Sequence, residues 1–128
     1  MNLSGYRRAT TVLAIACTGL VGIAVYLFVQ YAPLRLRLML ATEQVEIFEA
    51  MRARAIQGGP TDAAGCLDYV VSYYPSGTKQ IMGSRLDRLV EHARAGATRE
   101  ILAQLRTQTR EDLGEDPQAW IQKYARRN

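Results

Sequence analysis

Cysteine and histidine are scarce in this chain, which holds only Cys17, Cys66 and His92 among its 128 residues. Cys17 lies inside a long uncharged run and Cys66 lies outside it, so the two cannot pair and no disulfide framework constrains the fold. A lone histidine with no second His or Cys at ligand spacing indicates an exposed helical residue rather than a zinc ligand. We therefore expect no metal site and no cofactor.

The sequence also lacks a stretch in which Lys and Arg alternate with aromatic residues. Its net charge is +4, and two of its sixteen Lys and Arg, Arg7 and Arg8, precede residue 30. The remaining fourteen stand against twelve Asp and Glu, so this larger part of the chain is nearly neutral. Because proteins bind a phosphate backbone through clustered basic side chains, we expect no nucleic-acid partner.

The most prominent feature of the sequence is a run without charged residues from Ala9 to Ala32. Its central nineteen residues, 11–29, would form a helix of roughly 28 Å, which matches the hydrocarbon core of a bilayer. We therefore predict an N-terminal tail over 1–10, a single transmembrane helix over 11–31, and a lipid bilayer as the first partner of the protein.

A cleaved signal peptide is the alternative interpretation of this run. Ala32 would then be the last residue before the cut, with Pro33 directly after it. The apolar core of a signal peptide usually spans about 7–15 residues, and this run is longer. Its length and its basic flanks favour a retained signal-anchor.

The arginines on the two sides of the run balance one another, with Arg7 and Arg8 before it and Arg35 and Arg37 after it. Basic residues near a membrane span favour the cytoplasmic side, so these charges alone leave the orientation open. A short N-terminal tail usually stays inside, and we expect the carboxy-terminal domain on the exported side.

Three small residues of the predicted transmembrane helix, Ala14, Thr18 and Gly22, are spaced four apart and share one face. Such a face lets two helix backbones approach closely inside a membrane. It is a candidate helix-pairing face, although small residues are also common in membrane spans.

A juxtamembrane amphipathic helix is predicted over 33–57, because Pro33 suits a first helical turn and the sequence Gly58-Gly59-Pro60 ends a helix. Its regular apolar face consists of Ala41, Val45, Phe48 and Ala55.

Residues 61–128 are predicted to form a small helical domain of four short amphipathic helices, which gives an all-α fold. Short helices of this kind are stable only when packed together. The predicted caps and breaks are Thr61 or Asp62, Ser84, Gly96 and Asp116. The predicted apolar faces contain Leu67, Val70, Val71 and Tyr74; Leu86, Leu89, Val90 and Ala93; Ile101, Leu102 and Leu105; and Trp120, Ile121 and Tyr124.

The segment ILAQLRTQTREDLGEDPQAWIQKY, from Ile101 to Tyr124, resembles the tail of a HEAT-type helical repeat. The wider stretch from Cys66 to Tyr124 is similar to small membrane-anchored bacterial proteins. Arg110 stands where the repeat usually has glycine, and the sequence holds one copy. The resemblance implies a HEAT-like helix pair, protein binding and a bacterial inner membrane, and it brings no catalytic residues. The matching residues are Leu102, Leu105, Thr109, Leu113, Gly114, Asp116, Pro117 and Trp120.

Ser76 and Lys79 form an S-x-x-K match, in which a lysine one helical turn away can activate a serine nucleophile. The companion S-D-N and K-T-G elements are missing, and no earlier glycine completes a phosphate-binding loop. The acidic cluster over 111–116 lacks the spacing of a calcium loop. We therefore predict no catalytic residues and a protein that is not an enzyme, with a Ser76–Lys79 enzyme as the weakest alternative.

Aromatic residues of the small domain suggest how such a protein acts. We expect a non-catalytic, membrane-tethered protein-interaction module whose partner surface includes Tyr69, Tyr73 and Trp120, with the core as the alternative place for Trp120. The alternative function is structural self-assembly, in which a homodimer forms through the transmembrane and juxtamembrane helices.

Overall fold

The computed structural model describes residues 3–125, with side chains from residue 9 onward. These residues form helices and connecting segments and no strand, which confirms the all-α prediction. The four helices are α1 (Leu3–Gln57), α2 (Pro60–Ser72), α3 (Arg85–Thr109) and α4 (Pro117–Tyr124). The chain divides into two compact units, Met1–Leu36 and Arg37–Asn128, and the boundary between them falls within α1.

The helix α1 differs from the predicted division at residue 33, because Pro33 lies inside it. Most of the predicted tail over 1–10 is also helical, and its first two residues lie outside the described part of the chain. A proline inside a helix removes one backbone hydrogen bond, and the other bonds of the helix remain available. The predicted start of a separate helix at Pro33 is therefore absent, and α1 continues through this residue.

In the first unit, every side chain from Ala9 to Tyr31 is exposed. The α1 segment Ala9–Gln57 contains an apolar stretch that is long enough to cross a membrane by its length and composition. Large apolar side chains along it, such as Val12, Leu20 and Phe28, have no protein neighbours that bury them.

The second unit is built around a core to which all four helices contribute. From α1 come Ala41, Gln44, Phe48 and Ala55, whose spacings of three, four and seven define one helical seam. The apolar face predicted for this segment is thus correct at three of its positions, and Val45 is partly buried beside them. The largest buried side chains of the other helices are Leu67, Val70, Val90, Ile101, Leu102, Leu105 and Trp120.

The ends of the helices follow local rules at two places. Ser84 caps α3, since its Oγ accepts from the backbone N–H of Asp87, and Asp116 caps α4 in the same way through Gln118. Both caps were predicted. The predicted cap of α2 at Thr61 or Asp62 is wrong, because the N-cap is Gly59, which has no side chain, and Pro60 opens the helix.

The third helix runs without a break through Gly96, so the domain has three helices after α1 rather than four. A glycine inside a helix costs about 1 kcal/mol relative to alanine. Burial of Ala97 and Ile101 in the following turn offsets that cost. Leu89, which the helical spacing assigned to the core, is instead 58% exposed.

Trp120 lies in the core and has none of its surface exposed. Its Nε1–H donates a hydrogen bond to the carbonyl oxygen of Gly114 over 3.0 Å, so the polar atom of the ring is satisfied inside the protein. This corrects the assignment of Trp120 to a partner surface, since a buried ring offers no contact area. The alternative prediction, that Trp120 belongs to the core, is correct.

Candidate interaction surface

Three tyrosines at the end of α2 form one aromatic group, here called the tyrosine cluster: Tyr69, Tyr73 and Tyr74. Tyr69 and Tyr73 are one helical turn apart, and their rings stack with centroids 5.1 Å apart and planes at 24°. The ring of Tyr74 meets that of Tyr73 edge to face, with centroids 4.7 Å apart. Two of the three predicted surface residues, Tyr69 and Tyr73, are thus brought together.

The tyrosine cluster lines a depression of about 400 Å³, together with Ser72 and Pro75. Tyr69 and Tyr74 are 43% and 44% exposed, and Tyr73 is half-buried between them. Large rings with a polar tip and only two side-chain torsions are the side chains that protein interfaces favour. The cluster therefore has the composition of a contact surface.

The rings are held by side chains from two other parts of the unit, α1 and the loop between α2 and α3. Tyr73 packs edge to face on Phe48 of α1, with centroids 6.3 Å apart. The Nζ of Lys79 lies 4.1 Å from the centroid of the Tyr74 ring, and Glu43 Oε2 of α1 holds the same ammonium at 3.8 Å. Because the rings are fixed before any partner arrives, little side-chain entropy remains to be lost on binding.

The backbone of Tyr74 is in the left-handed region, with φ at +38°. A bulky residue rarely adopts this conformation, which costs about 1–3 kcal/mol and persists only where its surroundings enforce it. The surrounding group is Arg94 of α3, whose Nη2 donates to the Tyr74 carbonyl over 2.7 Å. The exposed ring of Tyr74 is therefore held in place at a cost in backbone energy.

Arg94 also closes the carboxyl end of α2. Its Nη1 donates to the carbonyls of Val70 and Val71 over 2.7 and 3.3 Å, and these belong to the last turn of the helix, where carbonyls lack partners within the helix. Glu91 pairs with the other side of the guanidinium at 3.2 Å. Sequence reasoning missed Arg94, although an arginine between Val90 and Ala97 in the buried stripe of α3 was a signal.

The S-x-x-K residues have separate partners in the structure. Ser76 Oγ donates to Asp87 Oδ2 over 2.6 Å, while Lys79 lies against the tyrosine cluster. Asp87 also accepts from the backbone N–H groups of Gly77 and Gly83. The Ser76 hydrogen bond, followed by that of Gly83, lowers the pKa of Asp87. Asp87 thus ties the α2–α3 loop to the first turn of α3.

The acidic cluster over 111–116 is used in ion pairs and caps. Glu111 binds Lys123 Nζ over 2.6 Å, and that contact together with the Tyr124 hydroxyl lowers the pKa of Glu111. Arg106 pairs with Asp112 at 3.1 Å and with Glu115 at 2.8 Å. Across residues 3–125, no group of three or more His, Cys, Asp and Glu has an arrangement suited to a metal ion.

The predicted helix-pairing face is exposed in the first unit at all three positions, Ala14, Thr18 and Gly22. Thr18 Oγ1 donates to the carbonyl of Ala14 over 2.9 Å, so its hydroxyl is satisfied within the helix. A Cβ added at Gly22 would meet nothing within 4 Å. The face is open over this whole length.

Comparison with known proteins gave no matching family model, no matching curated protein and no matching solved structure.

Proposed function

We propose that this protein is a non-catalytic interaction module, anchored in a membrane by residues 11–31 and binding another protein through the tyrosine cluster. The anchor is proposed to be a retained signal-anchor of a bacterial inner membrane, with the carboxy-terminal domain on the exported side. A HEAT-like packing of α3 and α4 serves as the scaffold of the binding surface.

The observation that carries this proposal is the left-handed backbone of Tyr74 beneath an exposed ring. A glycine at this position would remove the backbone strain, and the fold would lose the exposed ring with its contacts to Tyr73 and Lys79. Strained residues that persist in folded proteins concentrate at functional sites. An aromatic ring displayed in this way, beside two others, supports a binding role.

The membrane anchor is supported by the exposure of the apolar side chains between Ala9 and Tyr31. Water is a poor solvent for a helix that is apolar on all sides, whereas lipid accommodates it. The pair of arginines at 35 and 37 follows the apolar run, as expected at the end of a membrane span.

Crosslinking in native membranes, followed by capture through a carboxy-terminal tag, tests the proposal. Tyr74→Gly is the informative variant, because it removes the ring and relieves the backbone at the same time. Ile56→Ala is the matched control, since Ile56 is a similarly exposed apolar residue, at 47%, on α1. We expect the wild type and Ile56→Ala to capture one dominant protein and Tyr74→Gly to lose it.

Equal capture by Tyr74→Gly would refute the role of the tyrosine cluster. Release of the protein from membranes by alkaline carbonate would refute the anchor.

Self-assembly is the second candidate function, and the open face at Ala14, Thr18 and Gly22 favours it. Small residues allow close backbone contact between membrane helices. Under this alternative the captured protein is a second copy of the chain, the complex dissociates on dilution in detergent, and Gly22→Ile abolishes it.

A further inference from the structure

The second unit carries a separate apolar patch, formed by Ile81 and Met82 in the α2–α3 loop and Leu89 in α3. These side chains are 57%, 72% and 58% exposed, respectively. Single exposed apolar residues are common, but here three large ones lie within nine residues of sequence. Exposed apolar residues that occur together often mark an interaction site. We call it the loop patch.

The loop that presents this patch is ordered by internal bonds. Asp87 accepts hydrogen bonds from Ser76 Oγ and from the N–H of Gly83, and Ser84 N–H donates to the Ile81 carbonyl over 2.9 Å. Gly77 has φ at +83°, and a Cβ there would lie 3.0 Å from the Met82 side chain. Met82 therefore lies against the Gly77 backbone while most of its side chain stays exposed.

The charge next to the loop patch is positive. Arg85 and Arg88 are exposed, and neither forms an ion pair with another of residues 3–125. The carboxylates beside them are engaged elsewhere, since Asp87 is buried under the loop and Glu91 pairs with Arg94. Arg88 Nη1 makes one long hydrogen bond, 3.4 Å, to the Gly83 carbonyl.

Only a short stretch of sequence joins the apolar segment to the part of α1 that this loop contacts. Lys79 of the same loop pairs with Glu43, and only fourteen residues separate Val29 from Glu43. Even a fully extended chain of that length spans about 50 Å. A surface tethered at such short range meets the bilayer at high effective concentration, so weak contacts suffice.

We propose that the loop patch is a second membrane contact, in which Ile81, Met82 and Leu89 enter the lipid interface while Arg85 and Arg88 bind anionic headgroups. Apolar side chains flanked by basic residues have the chemistry of interfacial membrane binding. This inference rests on the proposed anchoring of residues 11–31. It adds a surface that holds the domain against the bilayer.

The test uses the full chain in vesicles of phosphatidylcholine, with or without phosphatidylglycerol. A Met82→Cys variant carries an environment-sensitive fluorophore in a Cys17→Ser background, where the remaining Cys66 is buried. Lipids with a nitroxide near the headgroup quench a probe that reaches the interface. The matched variants are Arg85→Gln with Arg88→Gln and, as control, Arg54→Gln with Arg99→Gln, which remove the same charge elsewhere.

We expect strong quenching in the anionic vesicles. The Arg85–Arg88 double variant should lower the ratio of lipid-inserted to water-exposed loop patch by about tenfold, and the control double variant should leave that ratio unchanged. A probe that stays in water in both lipids, or is quenched equally in both, overturns the inference. If the protein fails to float with the vesicles, the anchor is refuted as well, so the two failures are distinguishable.

Discussion

The guanidinium carbon of Arg94 lies 4.9 Å from the centre of the Phe48 ring, so a cation of α3 covers an aromatic side chain of α1. The same guanidinium binds the last carbonyls of α2 and the carbonyl of Tyr74. One side chain thus connects three helices and the tyrosine cluster. Its planar fork suits several carbonyls at once, which a lysine ammonium cannot match in geometry.

Replacing Arg94 should therefore destabilise the domain. For Arg94→Met we expect a loss of about 1.5–3 kcal/mol in the free energy of unfolding, typical of hydrogen bonds from a charged group. Arg94→Lys should recover only part of it. Denaturant unfolding of the full chain in detergent measures the change, and Arg99→Met, at an exposed position of α3, is the control. Equal midpoints for both Met variants would contradict the prediction.

Gln44 offers the opposite case, a polar side chain whose removal should stabilise the protein. It is 1% exposed, and its Oε1 has no hydrogen-bond partner within the described part of the chain. A buried group of this kind costs about 1–3 kcal/mol, so Gln44→Leu should raise the free energy of unfolding by a value in that range. Gln122→Leu, at an exposed position of α4, should leave it unchanged. A lower stability of Gln44→Leu would show that the amide is needed.

The acid stability of the domain should depend on Asp87. Its pKa lies below the ordinary value of 3.8, first because Ser76 donates to it and then because Gly83 does. A lowered pKa means that the ionised carboxylate stabilises the folded state at higher pH, and that this contribution is lost as pH falls through the folded pKa. Asp87→Asn should flatten the loss of stability below about pH 4.

Ser76→Ala should move that loss to higher pH, because it removes the first cause of the lowered pKa. Unfolding midpoints measured across the acid range for the three proteins check both statements. Parallel curves for wild type and Asp87→Asn would contradict them.

Trp120 tests the packing of α4. Trp120→Ala should cost about 3–5 kcal/mol, since the variant leaves a cavity in the core. Trp120→Phe should cost less, because it keeps most of the ring and loses the hydrogen bond to Gly114. Thermal unfolding followed by circular dichroism ranks the variants. An unchanged midpoint for Trp120→Ala would place the ring outside the cooperative core.

The elements that sequence predicted well are those fixed by neighbouring residues. Ser84 and Asp116 cap helices through bonds to backbone groups two or three residues away. The predictions that failed relied on the local preference of one residue where packing with other helices decides the structure. A break was predicted at Gly96, but α3 continues through it because Ala97 and Ile101 in the next turn are buried in the core.

The contacts that hold the tyrosine cluster in place could not be predicted from local sequence patterns. Arg94 reaches back twenty residues to Tyr74, and Glu43 reaches forward to Lys79. Such contacts depend on which helices become neighbours, which periodicity does not specify. The burial of Gln44, whose amide oxygen has no hydrogen-bond partner among the described residues, was not predicted for the same reason, because spacing alone assigned Val45 to the seam.

The seam of α1 within the second unit also bears on proteolysis. Ala41, Phe48 and Ala55 are core residues, and Gln104 and Gln108 of α3 bind the carbonyls of Ile56 and Gly58 near its end. A protease that cut between residues 41 and 57 would therefore take part of the core away with the apolar segment. An intact domain can therefore be separated from the apolar segment only by cleavage before Ala41.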